Sequence, residues 1–103
     1  MAAYANLTEA QRERLEMLIE EAGEIVTIGT KILRHGYDSY HPSDPAKTPN
    51  RFELEREVQD FETILKRMEA EGDIDTGYPD HNAIWKRKLR WTHHQDGEGS
   101  KNG

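Results

Sequence analysis

Apolar residues in the first third of the chain recur at intervals of three and four. Leu15, Leu18, Ile19, Ala22, Ile25, Val26, Ile28, Ile32 and Leu33 keep the period of an α-helix, not the alternation of a strand. The pattern predicts a first helix from Thr8 to His35. Thr8 and Gln11 stand at capping-box spacing at its start, and Gly36 supplies a permissive stop. Leu54, Val58, Phe61, Ile64, Leu65 and Met68 repeat the period and predict a second helix from Arg51 to Glu71. Asn50 is its expected N-cap, with Glu53 three positions on and Gly72 after the last turn. A third, shorter helix is expected from Asn82 to His94, opened by Asp80 or His81. The stretch GYDSYHPSDPAKTPN holds three of the four prolines and breaks the helical period between the first two. The expected fold is therefore all-α: two long antiparallel helices and a shorter C-terminal one.

On a helical wheel the apolar residues of the first helix fill an arc from about 200° round to about 40°, counted from Leu15, against roughly 100° for one buried stripe. A single small hairpin does not cover so wide an arc, so a partner chain is expected to complete the bundle. Glu21 falls at about 240°, between Ile28 and Ile32 and inside the apolar arc. In the second helix Glu57 projects from within the apolar face, with Asp60 and Glu53 beside it.

Composition narrows the reading. Of 103 residues 34% are hydrophobic and 33% charged, enough for one modest core. A single domain over residues 1–96 with a flexible tail over 97–103 is expected. Zero cysteines remove disulfides, thiolate catalysis and Cys-ligated metals, and fit a reducing cytoplasm. No run approaches the roughly 18 apolar residues of a membrane span, and the N-terminus lacks the pattern of a secretory signal. The net charge of −6 argues against a nucleic-acid footprint, which needs a concentrated basic surface.

Most of the acids, including Glu9, Glu13, Glu62 and Glu69, read as ordinary solvated helix surface. Glu21 and Glu57 do not, because an unpaired carboxylate on a packing face costs several kcal/mol even after relaxation. A salt bridge to Lys31 or Arg56 would repair one of them only. A hard divalent cation, Mg²⁺ with Mn²⁺ as a substitute, accounts for the whole set. Glu21 with Glu24 on one helix would face Glu57 with Asp60 on the other, each pair at a spacing that lets one helix offer two oxygens. Without the cation, mutual repulsion would raise some of these carboxyl pKa values.

The segments carrying these acids are IEEAGEI, with Glu20, Glu21 and Glu24, and EREVQD, with Glu57 and Asp60. Together, over residues 8–71, they resemble the E-E-x-x-E … E-x-x-D arrangement of the MazG-like all-α nucleoside triphosphate pyrophosphohydrolases, in their compact phage-type form. The resemblance implies hydrolysis of a (d)NTP to the monophosphate and pyrophosphate, with a purine deoxynucleotide as the expected substrate of a phage-type member. It implies Glu21, Glu24, Glu57 and Asp60 as Mg²⁺ ligands, and Glu20 as the acid that holds a second ion or orients the attacking water. These five form the implied catalytic set. It also implies a homodimer or homotetramer and a cytoplasmic setting, the host's cytoplasm for a phage-encoded protein. Larger relatives carry a further C-terminal helical element or a tandem copy, which this chain lacks at comparable length.

For substrate contacts, Lys31, Arg34 and His35 close the first helix. They read either as favourable helix-end charges or as a phosphate clamp. Tyr37, Tyr40 and His41 either border the base or anchor the proline-rich loop, and Lys47 is a weaker phosphate candidate. Ile84, Trp85, Leu89 and Trp91 are expected to pack on the first two helices or across a subunit boundary. Arg87, Lys88 and Arg90 add positive charge nearby. His81, His93 and His94 have no companion ligands for zinc. The competing function is a non-catalytic, metal-stabilised helical interaction subunit, which would yield no monophosphate or pyrophosphate.

Overall fold

A computed structural model describes residues 6–95. It contains three α-helices, α1 (Glu9–His35), α2 (Asn50–Ala70) and α3 (His81–Lys88), and a 3-10 turn, Leu89–Trp91. Among the described residues there is no strand, and no helix is long and apolar enough to cross a membrane. The tail expected at 97–103 lies outside the described residues.

The start of α1 follows its sequence. The Thr8 side chain accepts from the Gln11 amide at 3.1 Å while the Gln11 side chain accepts from the Thr8 amide at 2.9 Å, pairing two N–H groups the helix leaves free. At the other end Gly36 has φ +90°, a conformation costly for any residue with a Cβ, and its amide donates to the Ile32 carbonyl at 2.7 Å. The chain then returns antiparallel. Two ties fix this sense: Arg14, near the start of α1, clasps Asp73, just beyond α2, while Lys31, near the end of α1, meets Glu53 in the first turn of α2.

Asn50 is not the cap of α2. Pro49 takes that position with extended backbone, and Asn50 is the first helical residue. Its side chain turns inward and Nδ2 donates to the Gly36 carbonyl at 3.0 Å, joining the two helix ends that flank the loop. A proline at the cap makes the difference: its φ of −70° already suits helix entry. The amide side chain is thereby released for a tertiary bond.

The third helix is shorter than expected. α3 ends at Lys88 and tightens into the 3-10 turn, and Thr92 stops it in an extended conformation with its hydroxyl donating to the Leu89 carbonyl at 2.9 Å. Asp80 caps it, accepting from the Ala83 amide. Of the apolar residues expected to pack on the first two helices or across a subunit boundary, Leu89 is buried and Ile84 partly buried, while Trp85 is about half exposed and Trp91 is 79% exposed.

Among the described residues the buried apolar side chains are Ile28, Met68 and Leu89 alone. The radius of gyration is 17.8 Å, against about 13 Å for a compact domain of this length. On α1, Ile19, Val26 and Leu33 recur every seventh residue and are 68%, 64% and 87% exposed. This is the part of the wide apolar arc that α2 does not reach.

Candidate metal centre

The hairpin brings the inward acids of α1 and α2 together. One carboxylate oxygen each from Glu21, Glu57 and Asp60 lies within 4.8 Å of the other two. Opposite ligands of an octahedral Mg²⁺ are separated by about 4.1 Å, so small side-chain adjustments close the set on one ion. Glu21 and Glu57 are partly buried and Asp60 is exposed at the edge. Oε2 of Glu21 and Oε2 of Glu57 are buried with no hydrogen-bond partner.

The expected repair by a basic neighbour does not occur. Lys31 Nζ is 3.5 Å from Glu53 instead, and the Arg56 guanidinium lies 5.7 Å from the centre of the Phe52 ring. Among the described residues neither Glu21 nor Glu57 has an ion-pair partner. The electrostatic consequence follows directly. The Glu57 carboxyl is pushed up to about 7, first by the hydrogen bond it shares with Glu24, then by burial and by the charges of Glu24, Glu21 and Asp60. Glu21 is raised too, chiefly by burial and then by the charges of Glu24, Asp60 and Glu20. Four acids thus crowd a partly dry space, which favours the protonated form of Glu57 and Glu21.

The other expected site residues divide. Glu24 is in contact with Glu57 but outside the three-oxygen set, and Glu20 stays exposed, acting on Glu21 through its charge. A cavity of about 220 Å³ opens against Glu24, Glu57, Glu53, Lys31 and Arg56. Arg56, which is not among the expected substrate contacts, also lines this cavity, three residues after Glu53 and next to Glu57 in sequence. Arg34 is exposed. His35 and Tyr40 line a second cavity, also about 220 Å³, together with Lys31.

Tyr37 and Lys47 serve the loop. The Arg51 guanidinium lies 4.5 Å from the centre of the Tyr37 ring, and the Arg51 amide donates to the Tyr37 carbonyl. Lys47 Nζ stands 5.9 Å from the centre of the Tyr40 ring. Asp44 holds the turn between them by accepting from the amides of Ala46 and Thr48, which keeps its carboxyl below the usual carboxylate range.

A depression of about 590 Å³ at residues 69–78 also contains acids. Its chemistry is already engaged: Asp73 is clasped by Arg14 and Glu69 is hydrogen-bonded by Thr76.

Neither the family models, the curated proteins nor the solved structures compared with this chain match it.

Proposed function

We propose that the chain is a Mg²⁺-dependent pyrophosphohydrolase of nucleoside triphosphates, of the MazG-like kind, acting as a self-associated helical bundle. The observation that carries this reading is the pair of buried, unpartnered carboxylate oxygens on Glu21 and Glu57, aligned with Asp60. A divalent cation satisfies both orphans and removes the reason for Glu57 to keep its proton. All-oxygen, all-carboxylate donors suit Mg²⁺ or Mn²⁺ and exclude the soft-metal chemistry of thiolate sites.

Glu21, Glu57 and Asp60 hold the ion, with Glu24 completing the set from the rim. Bound there, it would polarise the α-phosphoryl group and lower the pKa of a coordinated water. Lys31 and Arg56, at the mouth of the same cavity, supply the positive charge that the outer phosphates need in an otherwise acidic site. Glu20 takes the proton of the attacking water. The new bond joins the water oxygen to the α-phosphorus, the bond to the bridging oxygen breaks, and pyrophosphate leaves with that electron pair. The exposed Ile19, Val26 and Leu33 stripe supplies the contact for self-association.

The test is a panel of the eight common nucleoside triphosphates with Mg²⁺, products resolved by ³¹P NMR. Monophosphate with pyrophosphate from the wild type, lost in Glu57→Gln, is the expected outcome. Metal binding with no turnover on any substrate would leave the chain an interaction subunit stabilised by its cation.

A further inference from the structure

The second cavity, between the end of α1 and the proline-rich loop, holds an unexplained polar atom. Asn50 is 1% exposed. Its Nδ2 is spent on the Gly36 carbonyl, and its backbone N–H on the Ser39 carbonyl, yet its Oδ1 is buried with no hydrogen-bond partner. Leaving a buried acceptor unmade is costly, and Asn50 is one of the residues that line this cavity, which puts a donor entering it within reach after a small local adjustment. The cavity is lined by Lys31, His35, Tyr40, His41, Pro42 and Asn50 among others.

We propose that this cavity is a nucleobase pocket in which Asn50 Oδ1 accepts an N–H from the edge of the base. The choice of ligand rests on the nucleotide reading above; the site and the contact do not. Its volume of about 220 Å³ falls below the roughly 300–1,000 Å³ of pockets that enclose a whole ligand, so it takes one ring system and leaves the sugar and phosphates outside. Tyr40 and Pro42 give it flat apolar walls, and two imidazoles border it. His41 Nδ1 accepts from the Ser43 amide at 3.0 Å, which places the proton of the neutral ring on Nε2 as a further donor. Lys31 lines both this cavity and the carboxylate cavity. One nucleotide therefore spans the two, its base at Asn50, its phosphates at Lys31 and the acids.

An acceptor selects for an N–H: the amino group of adenine or cytosine, or the ring N–H of guanine, uracil or thymine. A purine without an amino group, as in purine riboside, offers none. Nothing in this contact needs metal or triphosphate, so the experiment uses metal-free wild-type protein. Adenosine, guanosine, cytidine, uridine and purine riboside are titrated separately while ¹⁵N–¹H spectra follow the Asn50 side-chain amide and the backbone amides of residues 39–41. At least one of the four natural nucleosides is expected to shift both sets of signals, with purine riboside about tenfold weaker than the best or worse. Tyr40→Ala, at an exposed position, should weaken that best binder about fivefold or more through lost stacking. Failure of all four to move the Asn50 resonance, as when the cavity holds only a water, overturns the proposal, as does purine riboside binding equal to the best. Nucleoside binding without hydrolysis would sink the enzyme reading and keep the pocket; hydrolysis without the Asn50 shift would do the reverse.

Discussion

At the proposed cation site protons and metal would compete for Glu57, and the competition has a calculable size. With its carboxyl near 7 in the metal-free protein, Glu57 is mostly ionised at pH 8 and about one part in eleven ionised at pH 6. Cation binding requires the ionised form, so the association constant should fall about tenfold between these two pH values. For this one proton the logarithm of the constant should approach a slope of one per pH unit below about pH 6 and level off above about 8. Glu21, raised in the same direction, steepens the slope and cannot flatten it. The metal-free fold behaves oppositely. A carboxyl whose folded pKa lies above its ordinary 4.5 stabilises fully below that value, and the contribution is lost as pH rises through about 7. The melting temperature without metal should therefore drop between pH 5 and 7.5, and saturating Mg²⁺ should restore it. Glu57→Gln should abolish both effects while melting higher than the wild type at pH 7.5 in chelator. Calorimetric Mn²⁺ titrations at five pH values, paired with thermal melts, make the measurement. A flat affinity from pH 5.5 to 8, or wild-type affinity in Glu57→Gln, would refute the shared-cation argument.

Three further outcomes follow from the packing. Arg14→Ala should lower the melting temperature well beyond Arg12→Ala, because Arg14 holds the largely buried Asp73 through two bonds at 2.5 and 3.0 Å, whereas Arg12–Glu16 is an exposed helix pair of about 0.3–0.5 kcal/mol. The Arg14 clasp keeps the Asp73 carboxyl low, so its contribution is present above the ordinary Asp range and lost as pH falls through the lowered value, a difference that acid melts of the two variants will register. Val26→Asp with Leu33→Asp should convert the assembled species to monomer by light scattering; unchanged mass would remove the α1 stripe from the interface. Thr8→Ala should cost about 1 kcal/mol in denaturant melts by breaking the capping box.

The two long helices were legible because their periodicity and start signals agree. Thr8 and Gln11 cap α1 as their spacing predicts, and Gly36 ends it. Asn50 shows where such reasoning stops. Asn, then Glu three positions on, is a valid helix-start pattern, but whether the cap is Asn50 or Pro49 depends on a tertiary bond to Gly36 that no local spacing encodes. The third helix is present but ends earlier than its apolar period predicts. Its apolar residues fit a helical period, yet Trp85 and Trp91 find no apolar cover on the hairpin, and Thr92 ends the segment early.

The site was legible one step further than the fold, because a carboxylate on an apolar face is an energetic contradiction visible in the wheel. Wheel angles place Glu21 and Glu57 inward but say nothing of their distance along the helix axis, which the Arg14–Asp73 and Lys31–Glu53 ties set. Those ties also decide where the cations go. Lys31, one of the two basic residues that would repair an inner acid, pairs with Glu53 instead, and among the described residues Glu21 and Glu57 have no ion-pair partner. Lys31 pairs with Glu53 and lines the cavity that opens against Glu24 and Glu57, so the proposed cation would meet inner acids that have no ion-pair partner among the described residues.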